Sequence, residues 1–301
     1  MSVSTKVVEG IYYLNLPLWG TYTGSTIIAS SKLALIDTGM PDHPEKYIFP
    51  FLRSIDRDPE EISLIINTHT HGDHVGGNLE IKKVSGAEIA AHELAVGKIP
   101  GAVDKPLKDG EILEVGEFKF EVVHAPGHSP DSTCFLELDH KILISGDAIQ
   151  GNGDIEQGLA LITDIDAYRN SIKKLIGLNF QCLVLGHAYN AKNEILFGKD
   201  ARDFVVESLE YSERYEEEII RMLRATEKPL SRTEMHRRLL KTLALPSTNE
   251  LVEFYLRFLS VFSRPTIDAY VERLPAELKS KVKDSKWEDV GTLSAPWIEI
   301  E

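Results

Sequence analysis

The sequence predicts an α+β fold, with a strand-rich first two-thirds and a helical tail. Three observations carry this. Short β-branched runs such as "GSTIIAS", "LALIDTG" and "SLIINTHTH" are separated by Gly, Ser and Lys, the pattern of meandering strands. From about residue 199 the apolar residues shift to helical spacing, as in "DARDFVVESLEYSERYEEEIIRMLRATEK". The 301 residues are 43% hydrophobic and 27% charged, which suits one large domain with an appendage and a core that needs no disulfides. The expected division is 1–198 and 199–301.

In chain order, "GIYYLNLP", "GSTIIAS" and "LALIDTG" read as the first strands, and "HPEKYIFPFLRSI" as a helix interrupted by proline. "SLIINTHTH" is a strand that ends in histidines, and "GGNLEIKKVSG" is a short helix. "AEIAAH", "EILEVG", "FKFEVVHAPGH", "STCFLELDH" and "KILISGDA" continue the strand series. Ile165, Tyr168, Ile172, Leu175 and Ile176 recur at helical spacing, with Asp164 or Asp166 as the cap. "QCLVLGHA" is the last strand of this part. In the tail, Ser231 and Glu234 form a capping box for the helix "SRTEMHRRLLKTL". The segments "STNELVEFYLRFLSVF" and "TIDAYVERL" read as two further helices, and "WEDVGTLSAPWIEIE" as a hairpin, giving a winged-helix-like bundle.

Composition narrows the function. The formal net charge is −14, most of it in the first two-thirds, and such a surface repels phosphate backbones. "MHRRLLK" is locally basic, but Glu216, Glu217 and Glu218 lie close by in sequence, so a solvated face is preferred to an RNA contact. There is no run of about 18 apolar residues and the start does not read as a signal peptide. Cys134 and Cys182 both sit in apolar runs, which reads as two buried thiols in a reducing cytoplasm.

The chemistry concentrates in "NTHTHGDHVGG", residues 67–77. Residues i and i+2 of a strand share a face, so His69 and His71 can reach one ion. A turn at Gly72 then lets Asp73 and His74 address a second. Imidazole and carboxylate are ligands for zinc, iron or manganese. His128, Asp147 and His187 each follow an apolar strand, which places them at strand ends as well.

With these residues in hand, the chain resembles the metallo-β-lactamase superfamily over residues 5 to 198. The H-x-H-x-D-H stretch carries the resemblance, together with the later order His128, Asp147, His187 and the strand-end Asp37 of "LALIDTG". It implies a four-layer αββα sandwich and a dinuclear site. In the family pattern His69, His71 and His128 hold one divalent metal, Asp73, His74 and His187 hold the second, and Asp147 bridges. Zinc is the expected metal, with iron or manganese as alternatives. Asp37 would orient a histidine without binding metal.

The resemblance also sorts the branches. The diiron flavin branch has Glu where His71 stands, and β-lactamases place Cys or a non-ligand where Asp147 stands. Long-insert nucleases need a domain between Asp147 and His187, which are 40 residues apart. Thioester hydrolases of the glyoxalase II type and lactonases are left, with a ribonuclease or phosphodiesterase and a mononuclear-iron persulfide dioxygenase as alternatives. The expected activity is hydrolysis of a small lactone or thioester by a bridging hydroxide, with Asp73 taking a proton. Trp19 and Tyr22 lie in a loop that overhangs the site in this fold, where they would line the substrate pocket or merely pack a hairpin. Tyr189 is either a donor to the substrate carbonyl or structural. The helical tail would narrow the entrance or form a homodimer contact. His43, His92, His124, His140 and His236 are read as non-ligands.

Overall fold

β-Branched and aromatic runs with buried residues on both faces assemble into two sheets. The computed structural model describes residues 4–18, 21–153, 159–187, 189, 193–243, 260–283 and 287. The first sheet holds seven strands in sequential order: β1 (Ser4–Val8), β2 (Ile11–Leu18), β3 (Thr21–Ala29), β4 (Leu33–Ile36), β5 (Ile62–Asn67), β6 (Glu88–His92) and β7 (Lys105–Leu107). Pairing is antiparallel from β1 to β4 and parallel from β4 to β7. The second sheet has the order β13-β12-β11-β10-β9-β8, from β8 (Ile112–Val115), β9 (Phe118–His124), β10 (Thr133–Glu137), β11 (Ile142–Ile144), β12 (Cys182–Val184) and β13 (Ile195–Phe197).

Strand periodicity sets the layers. Ala34, Ile36 and Ile66 of the first sheet face Phe120, Val122, Phe135, Ile144 and Val184 of the second in one core. Their neighbours Leu33, Leu35 and Ile65 point the other way, onto Ile48, Phe49, Leu52 and Ile81. Those belong to a π-helical turn Pro44–Ile48 that runs into α1 (Phe49–Ser54), and to α3 (Asn78–Ser85). The proline interruption expected here therefore takes the form of a widened turn ahead of Pro50. Outside the second sheet, α4 (Ile165–Ile176) buries Tyr168, Ile172 and Leu175. Ser171 Oγ of α4 donates to Pro126 O at 2.8 Å. The result is the αββα sandwich with helices following it.

Chain contacts divide the protein into two units. The first contains residues 1–149, 166–188 and 192–206, and the second 150–165, 189–191 and 207–301. The second unit thus takes in residues 150–165 as well as the tail. Its long helix α5 (Gly198–Ala225) begins within the first unit's residues. α6 (Arg232–Leu243) is capped by Ser231 Oγ, which accepts from Glu234 N at 3.2 Å. A further helix, Ser260–Arg273, continues through Pro265, where the sequence suggested a break. Thr266 Oγ1 accepts from Ile162 N and donates to Ala160 O, and Ile267, Tyr270 and Val271 are buried, so tertiary anchoring holds the helix past the proline. Residues 247–259 of the helix expected over 247–262, and most of the hairpin expected from Trp287, lie outside the described residues. Among the described residues no helix is long and apolar enough to cross a membrane.

Candidate metal centre

Strand direction brings the predicted residues together. β4 and β5 run parallel in the first sheet, β11 and β12 run parallel in the second, and β9 shares their direction through two antiparallel pairings. Asp37, His69, His128, Asp147 and His187 each follow the C-terminal end of one of these strands. Backbone bonds tie the ends to each other: Asp37 N donates to Ile66 O (2.8 Å), Thr133 N to Thr68 O (2.9 Å) and Gly186 N to Gly146 O (3.2 Å).

After His71 the chain forms one helical turn, α2 (Gly72–Val75), with His74 N and Val75 N both donating to His71 O. The need for glycine lies further on than Gly72. A Cβ on Gly72 would meet nothing within 4 Å, whereas one on Gly76 or Gly77 would stand 2.6 Å from Gly72 O or 2.5 Å from Thr38 O. Thr38, Asn67 and Asn78 close this turn from behind. Thr38 Oγ1 donates to Asn78 Oδ1 (2.8 Å) and Asn78 Nδ2 to Asn67 Oδ1 (2.8 Å).

The histidines and aspartates converge as three groups of donor atoms, each within 4.8 Å: His69, His71 and His128; His69, His74 and Asp147; Asp73, His74 and His187. His128 Nε2 is 2.9 Å from His71 Nδ1. Asp147 reaches three rings, with Oδ2 at 3.5 Å from His128 Nε2 and 3.4 Å from His187 Nε2, and Oδ1 at 3.4 Å from His74 Nε2. Asp73 Oδ2 is 3.3 Å from His187 Nε2 and 3.6 Å from His74 Nε2. His71 is exposed and Asp73 half-buried, and the other five are buried.

Such density of charge moves proton affinities apart. Burial, reinforced by His74 and His71, holds His69 well below the usual imidazole range. Burial also opposes the cation on His74, but Asp147, Asp73 and Asp37 outweigh it and hold His74 well above that range. At His187 burial is likewise outweighed, chiefly by Asp147, and the pKa is pushed up to about 10. Burial works against both carboxylates, yet His74 and His187 hold Asp73 and Asp147 below the usual carboxylate range.

Around this centre the supporting bonds are specific. Asp37 Oδ2 accepts from His74 Nδ1 at 2.7 Å and from Thr68 Oγ1 at 2.6 Å, and Asp37 Oδ1 accepts from Thr68 N at 2.8 Å. Asp37 has φ 63°, a left-handed conformation that costs about 1–2 kcal/mol. Burial of Leu33, Leu35 and Ile36 of β4 just before it is worth about 1.5–3 kcal/mol each, so the strand outweighs the strain. His187 Nδ1 bonds the carbonyl of Tyr22 at 2.8 Å. Thr68 is the residue the sequence pattern did not single out, since it looks no different from Thr70.

Tyr22 packs its partly buried ring against the core between the sheets. Tyr189 belongs to the second unit, is fully buried, and its hydroxyl accepts from Gln150 Nε2 at 3.3 Å. Trp19 lies outside the described residues. The five other histidines fall outside the three donor groups. His92 and His124 stack at 4.0 Å, His43 Nε2 donates to Pro17 O (3.1 Å), His140 Nδ1 to Glu137 Oε2 (3.1 Å) and His236 Nε2 bonds Ser263 Oγ (2.9 Å).

Comparison with known proteins bears on the family and the fold. The family model for the metallo-beta-lactamase superfamily matches residues 21–187. Hydroxyacylglutathione hydrolase of Methylococcus capsulatus is 35% identical over 113 residues, covering 37% of this chain and 44% of that protein. Lactamase-like protein aptB of Emericella nidulans is 30% identical over 168 residues, covering 54% and 49%. The chain thus spans about half the length of the curated relatives it matches. In fold it is similar to a metallo-beta-lactamase family protein from Thermus thermophilus, with TM-score 0.70, 19% identity, and 90% and 95% of the two chains covered. A subclass B3 metallo-beta-lactamase of Bradyrhizobium japonicum gives TM-score 0.56 at 23% identity, covering 74% and 95%. On the match over more than half its length, the chain belongs to the metallo-beta-lactamase superfamily.

Proposed function

We propose that the chain is a dinuclear metal-dependent hydrolase of a thioester or lactone, and that its first unit carries the chemistry. His69, His71 and His128 would hold one divalent cation, Asp73, His74 and His187 the other, and Asp147 would serve both. The observation that carries this is the set of three overlapping donor groups, each spanning no more than 4.8 Å. The donor set itself fits a cation: His69 Nε2 is buried with no hydrogen-bond partner among the described residues, a costly arrangement unless something else satisfies it. Histidine with carboxylate suits zinc first, and iron or manganese as well.

Two bound divalent cations supply a lowered pKa for water and polarisation of a substrate carbonyl. The chain's own residues do the rest. Asp73 has a side chain 25% exposed against 5% for Asp147, so it is the carboxylate placed to receive a proton from an attacking water. Asp37 and the Tyr22 carbonyl hold the His74 and His187 rings through their Nδ1 atoms, leaving both Nε2 atoms directed inward. The thioester reading draws on the relatives named hydroxyacylglutathione hydrolase. A cytoplasmic setting is supported by Cys134 and Cys182, two buried free thiols that burial pushes up to about 12.

Metal analysis together with a panel of thioesters, lactones and phosphodiesters tests the proposal. The expected result is about two metals per chain and turnover of the first or second class. Full activity with a single iron would overturn it in favour of dioxygenase chemistry. Selective cleavage of phosphodiesters would favour a nuclease. Asp73→Ala is the control, and undiminished turnover would remove Asp73 from the proton transfer.

A further inference from the structure

We infer that Thr68 is a positioning residue whose hydroxyl, lying between His69 Nδ1 and the Asp37 carboxylate, fixes the tautomer that leaves His69 Nε2 free for metal. The inference rests on the dinuclear reading above and deepens it. Through Thr68, one carboxylate outside the ligand set governs a histidine on each of the two cations.

The proton count leaves one arrangement. Thr68 Oγ1 is 2.6 Å from Asp37 Oδ2 and 3.1 Å from His69 Nδ1. A hydroxyl carries one proton, and a carboxylate can only accept. If the hydroxyl gave its proton to His69, two oxygens would face each other at 2.6 Å in a buried site with nothing between them, at the full cost of an unmatched buried contact. The hydroxyl therefore donates to Asp37, and its lone pair accepts from His69 Nδ1–H. A neutral imidazole protonated at Nδ1 has its lone pair on Nε2, and His69 Nε2 is the atom that is buried without a partner among the described residues.

Asp37 accepts three bonds, and its Oδ2 takes two of them. Its Oδ1 takes the Thr68 backbone N–H, and its Oδ2 takes the Thr68 hydroxyl and His74 Nδ1. Thr68 therefore grips Asp37 with both backbone and side chain. His74 is oriented by the same oxygen directly, and His69 through one hydroxyl. Thr68 is 1% exposed and Asp37 2%, so both lie out of reach of bulk solvent. A Cβ on Gly146 would stand 2.4 Å from Thr68 Oγ1. The residue before Asp147 thus has to be glycine to leave the hydroxyl its place.

The test uses the full chain and four forms: wild type, Thr68→Val, Thr68→Ser and Thr68→Ala. Nitrogen-15 histidine spectra of the metal-free protein read the His69 tautomer directly. Wild type and Thr68→Ser are expected to show Nδ1–H, and Thr68→Val and Thr68→Ala to lose it. In a zinc titration against a competing chelator, one of two binding steps should weaken about 10- to 100-fold in Val and Ala and recover in Ser. If Val does not fold, the Ser and Ala pair isolates the hydroxyl. A folded Val or Ala variant that keeps the Nδ1–H signature, or that binds both zinc ions as wild type does, overturns the inference. Should wild type bind fewer than two zinc ions while the tautomer follows the hydroxyl, the dinuclear reading fails and the role of Thr68 stands.

Discussion

His74 Nδ1 and Asp37 Oδ2 lie 2.7 Å apart with both side chains shut off from solvent. Asparagine at position 37 keeps the left-handed backbone, which it tolerates, but cannot accept on both sides. Whichever way the amide turns, its NH₂ faces either His74 Nδ1–H or the Thr68 N–H. We expect Asp37→Asn to cost about 1–3 kcal/mol in denaturant unfolding and zinc affinity to fall about 10- to 100-fold. Asp37→Ala adds the backbone strain of a less tolerant residue, about 1–2 kcal/mol more. Zinc affinity equal to wild type in Asp37→Asn would mean that the His74 contact is not what orients the ring.

Loading with zinc should release protons. His187 is pushed up to about 10 and His74 stands well above the usual range, so at pH 7 the metal-free chain holds a proton on each. A metal needs the lone pair that the proton occupies, so binding expels about two protons from these histidines, in addition to any that metal-bound water gives up. The sign follows from the raised values: affinity rises with pH, about tenfold per unit for each proton displaced. For His187 the rise ends as pH passes about 10. Calorimetry at pH 7 in two buffers of different ionisation enthalpy counts the protons. Zero net release would contradict the placement of His74 and His187 on the metals.

Gly186 offers a way to disturb Asp147 without altering a donor. A Cβ there would stand 2.4 Å from Asp147 Oδ1 and 2.8 Å from the Gly146 carbonyl carbon. The backbone contact cannot yield cheaply, so the carboxylate and its strand end must shift. Gly186→Ala is expected to lower turnover on the order of 10²-fold and stability by about 1–3 kcal/mol. Gly72→Ala is the steric control, since nothing lies within 4 Å and alanine suits the first helical turn. Its stability should stay within about 0.5 kcal/mol or rise. Similar losses in both variants would show that the crowding at Gly186 is not the cause.

What could be read from the sequence follows from range. His69 and His71 announce a shared face because strand periodicity is local, and His128, Asp147 and His187 announce strand ends because each follows an apolar run. The common edge needs only strand direction. Thr68 was not legible because its meaning lies in Asp37, 31 residues away, and no local pattern separates it from Thr70. Residues 150–165 carry Gly151, Gly153 and Gly158 with no periodicity, so nothing local ties them to the helical tail. There the contacts are Asn152 Nδ2 to Leu243 O (2.6 Å) and Ile162 N to Thr266 Oγ1 (2.8 Å). The glycine constraint was misplaced by a few residues, at Gly72 in place of Gly76 and Gly77, because crowding by Thr38 and Pro41 comes from a distant loop.

The helical unit should be acid-sensitive through His236. This ring is 1% exposed, bonds Ser263 Oγ at 2.9 Å and lies edge-on to Trp287 at 6.0 Å. Burial, with Arg264 adding to it, lowers its pKa to about 3. A histidine depressed in the folded state is more readily protonated when unfolded, where its pKa is about 6.5. Its contribution is therefore intact above pH 6.5 and declines as pH falls below that, by up to about 1.4 kcal/mol per unit, until pH approaches 3. Between pH 7 and pH 5 wild type should lose up to about 2 kcal/mol from this group. His236→Gln keeps a polar side chain that does not titrate, so it should be less stable at pH 7 yet show a flatter pH dependence. Denaturant unfolding of both proteins across pH 5 to 7 gives the two slopes. Parallel curves would assign the acid sensitivity to other groups.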